Sequence, residues 1–76
     1  METKEIVAIA KRLRKIRGKR SQRGFALELG VNQQNVNRYE CAENVPHASF
    51  LIQLVRQERV NLNWLLTGVG HERIRR

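Results

Sequence analysis

Aspartate is absent from this chain, and cysteine, proline and tryptophan occur once each. Without aspartate, carboxylate chemistry rests on glutamate alone. His47 and His71 lie far apart, with no carboxylate or thiol at ligand spacing. No catalytic residue, metal or cofactor is therefore expected. The lone Cys41 excludes an internal disulfide and a thiolate zinc cluster, and a single thiol suits a reducing cytosol. No apolar run approaches the ~18 residues of a membrane span, and nothing resembles a signal peptide, so no membrane partner is expected. Alternating β-branched residues and hairpin dipeptides are missing, which argues against strands. The few aromatic residues, Phe25, Tyr39, Phe50 and Trp64, all sit at core spacings. An exposed stacking platform of the kind RNA modules use is thus lacking.

Positive charge is abundant. The 76 residues carry a net charge of +8. Residues 11–23, KRLRKIRGKRSQR, hold eight Lys or Arg and no acid, whereas the rest of the chain is balanced. A focused positive block suits a polyanionic partner, a solvated helix face being the plainer alternative. The length suits one domain with a thin core. We place that domain at residues 1–70 and read 71–76, HERIRR, as a frayed basic tail or the start of a linker.

The pattern of apolar residues predicts an all-α bundle of five short helices. The first covers 4–16, with Ile6, Ile9, Leu13 and Ile16 on one stripe and Thr3 as its cap. Ser21 caps a second over 22–29, with Phe25, Ala26 and Leu29 inward. Asn32 caps a third over 33–41, and Pro46 closes the loop after it. The fourth covers 48–58, with Leu51, Leu54 and Val55 inward. Asn61 caps a fifth, LNWLL, which Gly68 stops.

The second and third helices are joined by Gly30-Val31-Asn32, the length and chemistry of a helix-turn-helix. On a wheel with about 100° per residue, Val36 faces the core. Gln34 and Arg38 then lie nearly opposite, with Cys41 continuing their row, Asn35 and Asn37 flanking it, and Gln33 in the first turn. Asparagine is a poor helix former, so a merely solvated face has no reason to use it. Amides match the N6/N7 edge of adenine and arginine the O6/N7 edge of guanine. Gln33, Gln34 and Arg38, with Asn35 and Asn37, are the candidate base readers of double-stranded DNA. Ser21, Gln22, Arg23, Asn32, Asn44, Lys19 and Arg20 are candidate phosphate contacts, Ser21 being foremost a cap.

The segments SQRGFALELGVNQQNVNRYE and NLNWLLTGVG resemble the helix-turn-helix and the fifth helix of lambda-repressor-like (Cro/Xre-type) transcriptional regulators, especially phage repressors. The resemblance covers roughly residues 9–70. It implies a homodimeric repressor of a pseudo-palindromic DNA operator, located in the cytoplasm on the nucleoid. It also implies a structural ion pair between Glu40 and Arg17 of the first helix, and dimer contacts from Leu62, Leu65 and Val69. Antitoxins share this family, so a protein partner such as a toxin, or a C-terminal domain of a longer repressor, is the alternative. The chain departs from the family in a shorter connection into the second helix, in Arg20 where an aliphatic residue is usual, in Gly24 where an acid is common, and in Glu58-Arg59 where apolar and small residues are common. A looser entry to the second helix and looser packing of the fourth are expected from these departures.

Overall fold

The computed structural model describes residues 2–74. Five helices follow one another: α1 (Thr3–Arg17), α2 (Gln22–Leu29), α3 (Gln33–Glu40), α4 (Ala48–Glu58) and α5 (Leu62–Thr67). Ser21, Asn32 and Asn61 cap α2, α3 and α5 as expected, each accepting from a backbone N–H in the first turn. The cap of α1 differs. Glu2 occupies that position rather than Thr3, and its N–H donates to the Glu5 carboxylate at 3.1 Å.

Among the described residues thirteen hydrophobic ones are buried, drawn from every helix and from the α4–α5 connection. Ile9, Leu13 and Ile16 of α1 meet Phe25 and Leu29 of α2, Val36 and Tyr39 of α3, Phe50 and Leu54 of α4, and Leu65 of α5. In α4, Phe50 and Leu54 are the buried pair, while Leu51 and Val55 are half-buried. The radius of gyration is 11.4 Å, the value a folded domain of this length takes by the usual scaling. Among the described residues no helix is long and apolar enough to cross a membrane.

Two expectations are corrected here. The described part of the tail is docked rather than frayed: Asn61 N–H donates to Glu72 O at 3.0 Å, and Ile74 N–H to Arg59 O at 2.7 Å. Val60 and Arg73 thus form an antiparallel bridge. Periodicity cannot reveal such pairing, because the partner strand is only a short stretch between α4 and α5. Arg75 and Arg76, also assigned to the tail, lie outside the described residues. The second correction concerns Leu65, expected at a dimer contact. It is completely buried. In the six-residue α5, Leu65 is the fully buried residue, with Leu62 and Trp64 packed against the core at partial burial.

The connection between α1 and α2 is braced, not loose. Arg20 donates from Nε to Arg17 O (3.0 Å), from Nη2 to Ile16 O (2.7 Å) and to Glu58 Oε1 (2.9 Å), and from Nη1 to Glu28 Oε2 (2.8 Å) and Glu58 Oε2 (2.9 Å). Its guanidinium also covers the Phe25 ring at 4.7 Å. Arg20 and Glu58, both singled out in the sequence, thus pair with each other and tie the start of α2 to the end of α4.

Hydrogen bonding to Arg20 lowers the Glu58 pKa. The pair's stabilisation is thus fully present above the unfolded glutamate value and fades as pH falls through the lower folded value. Replacing Glu58→Gln is expected to reduce stability by about 1–2 kcal/mol at pH 7 in urea denaturation, and to flatten the loss of stability on acidification. An unchanged acid limb in the variant is inconsistent with this pairing.

Candidate functional site

The third helix is held from behind. Val36 and Tyr39 are buried in the core, and Ala26 of α2 is small enough to be buried beside them. Between the helices Gly30 adopts φ 69°, in the left-handed region. Its N–H donates to Leu27 O, and that of Val31 to Ala26 O, which closes the end of α2. An added Cβ at Gly30 meets nothing within 4 Å, so glycine serves backbone conformation there and not close packing.

Among the described residues Glu40 is the only charged one that is buried, at 3% exposure. Its carboxylate accepts from Arg17 Nε at 2.8 Å and Nη2 at 3.0 Å, and from Gln22 Nε2 at 3.0 Å. Arg14 donates to its carbonyl, one of the unpaired carbonyls at the end of α3. The Arg17 pair is the one the resemblance implied. Bonding to Glu40 raises the Arg17 pKa. One residue thus joins α1, α2 and α3.

With Val36, Tyr39 and Glu40 turned inward, the opposite side of α3 faces outward. Gln33, Gln34, Asn37 and Arg38 are exposed, and together with Gln22 and Glu43 they line an open polar hollow of about 580 Å³. Gln22 keeps one amide hydrogen beyond its bond to Glu40, so it is oriented and still able to donate. Asn35 is half-buried on the flank, outside this hollow. Asn32 is committed through Oδ1 to the N–H of Gln34 at 2.7 Å, and Ser21 through Oγ to that of Gly24 at 2.9 Å. Asn44 is exposed in the following loop, apart from the hollow.

The basic block is divided by the fold. Arg12 donates to Leu65 O at 2.9 Å, and Lys15 pairs with Glu72 at 3.2 Å. Arg14 and Arg17 serve Glu40, and Arg20 uses all five of its N–H donors internally. Arg20 is therefore removed from the candidate phosphate contacts: no donor remains for a ligand. Lys11, Lys19 and Arg23 form no ion pair among the described residues, and all three are exposed. Lys19 and Arg23 flank the N-terminus of α2. Among the described residues no three His, Cys, Asp or Glu side chains converge as metal ligands.

Glu43 is the member of the hollow that the sequence did not suggest. It lies beyond α3, where helical periodicity carries no information. Its position depends on Ala42, which takes φ 60° despite having a side chain. Left-handed backbone costs a residue with a Cβ about 1–2 kcal/mol. Neither family models, nor curated proteins, nor solved structures yield a match to this chain.

Removing the Glu40 carboxylate leaves Arg17 and Gln22 without their acceptor. Glu40→Ala is expected to cost about 3 kcal/mol in equilibrium unfolding. Ala42→Gly should raise stability by roughly 1 kcal/mol through relief of the left-handed strain. Thermal or urea melts of the two variants test both signs.

Proposed function

We propose that the protein is a sequence-specific, double-stranded-DNA-binding transcriptional regulator of the repressor type. It binds a pseudo-palindromic operator as a homodimer, on the nucleoid in the cytoplasm, with α3 in the major groove. The observation that carries this reading is the outward face of α3: amides and one guanidinium, displayed on a helix whose other side is anchored by Val36, Tyr39 and Glu40. Rigid placement matters because base-edge recognition depends on hydrogen-bond geometry. Lys19 and Arg23 stand beside the start of α2, where a phosphate strand crosses the end of a recognition unit of this kind. The resemblance to lambda-repressor-like regulators points the same way.

The dimensions are compatible with paired half-sites. Two molecules of 33 × 27 × 23 Å, side by side, match the spacing of successive major grooves, about 34 Å. The surface residues left for a dimer contact near α5 are exposed Val69 and half-buried Leu62, together with Leu66 at the edge of exposure.

Selection of bound sites from random duplex DNA at physiological salt should enrich a two-fold symmetric motif. Gln34→Ala and Arg38→Ala should each lose about 1–3 kcal/mol of discrimination at a defined base pair. Lys19→Ala should weaken all sequences alike and lower the salt slope by about 0.9. A functional preparation that enriches no motif, or variants that keep full discrimination, would turn the reading toward an antitoxin-type interaction module.

A further inference from the structure

The structure assigns Glu43 a role in specificity: its carboxylate accepts a hydrogen bond from the exocyclic amine of a cytosine, next to the guanine that Arg38 reads. This inference rests on the DNA-reading function proposed above. It begins from an anion whose position serves no evident structural end. Of the seven glutamates, Glu28, Glu40, Glu58 and Glu72 stand in ion pairs with Arg or Lys. Glu2 and Glu5 lie at the N-terminus of α1, where the helix dipole favours negative charge. Glu43 has neither support. It forms no ion pair among the described residues, and it follows the C-terminus of α3, where the dipole disfavours an anion.

The backbone nevertheless holds it there. Ala42 N–H donates to Tyr39 O at 3.2 Å, and Glu43 N–H to Arg38 O at 2.9 Å, the paired bonds of a closed helix end. Ala42 provides the left-handed residue that this closure needs. Glu43 is thereby fixed through its N–H to the carbonyl of Arg38, and it lines the hollow with Arg38, Gln34 and Asn37. A continued helix would carry residue 43 away from that face.

The chemistry of the hollow is then asymmetric. The glutamines and asparagine donate and accept, Arg38 only donates, and an ionised Glu43 only accepts. In the major groove guanine offers two acceptors and cytosine a lone donor at N4. A donor-only group beside an acceptor-only group is complementary to one G·C pair, or to two adjacent ones. Toward phosphate the same carboxylate is repulsive, so it also weakens binding wherever the cytosine is missing.

The test is site selection from random duplex DNA with the wild type, Glu43→Gln and Glu43→Ala, alongside affinities for one selected site and one unrelated duplex. The wild-type motif should contain a cytosine at one position of each half-site. Glu43→Ala should lose that preference by at least about fivefold while the other positions persist. Glu43→Gln should shift the same position toward adenine, which amides read. Both variants should bind the unrelated duplex more tightly. A wild-type motif that persists unchanged in Glu43→Ala, with all affinities rising equally, overturns the inference and leaves the DNA-reading function standing. A wild type that enriches no motif overturns both. Glu43 is exposed, so the variants are expected to fold, and circular dichroism melts confirm this before selection.

Discussion

The arrangement of this protein depends on one buried carboxylate. Glu40 is withdrawn from water and satisfied by Arg17 from α1 and Gln22 from α2. A buried charge is tolerated only when its lone pairs are met with good geometry. That requirement restricts how α3 can sit: any rotation exposing Glu40 separates it from both partners. The outward direction of Gln34, Asn37 and Arg38 follows from that constraint as much as from the packing of Val36. Among the described residues no buried side-chain polar atom lacks a partner, so the constraint is met throughout.

A thin core explains why so many cations are structural. A domain of this size has little apolar surface to bury. The arginines of α1 and its exit add bonds between elements: Arg12 reaches α5, Arg14 and Arg17 reach α3, and Arg20 joins α1, α2 and α4. Long side chains do this well, since their stems lie on apolar surface and a guanidinium carries five donors. The Arg20–Glu58 pair shows the consequence, for it braces the start of α2 and receives Arg73 from the docked tail through Glu58. The positive field that remains for a partner is therefore narrower than the run of charges suggests. Within the run, carboxylates offset Lys15, Arg17 and Arg20, whereas Lys11, Lys19 and Arg23 form no ion pair among the described residues and Arg12 and Arg14, bonded to carbonyls, keep their charge.

The proposed interface combines rigid and adaptable parts. Amides that donate and accept suit several base edges, whereas Arg38 and Glu43 impose one polarity each. An unmatched carboxylate beside a polyanion weakens binding generally and sharpens discrimination, a trade common to specific surfaces.

The helices were legible in the sequence because their signals are local. Apolar spacing marked Ile9, Leu13 and Ile16, and capping residues marked Ser21, Asn32 and Asn61 at the boundaries observed. The outward row of α3 was legible for the same reason, since Val36 set the inward direction. Other features depended on distant partners. Arg20 looked like a ligand for phosphate until Glu58, far along the chain, claimed it. Leu65 looked available for a dimer until α1 covered it, and the tail looked loose until residues 59–61 paired with it. Glu43 was invisible because it depends on the left-handed backbone of an alanine, for which composition carries no sign. By itself the sequence determined the five helices, the caps of the second, third and fifth, and the polar row on the third, because each rests on residues within a few turns of one another. Only the tertiary structure decided which charges were consumed internally and which side chains share the hollow, because ion pairs and concave surfaces join residues that the chain keeps far apart.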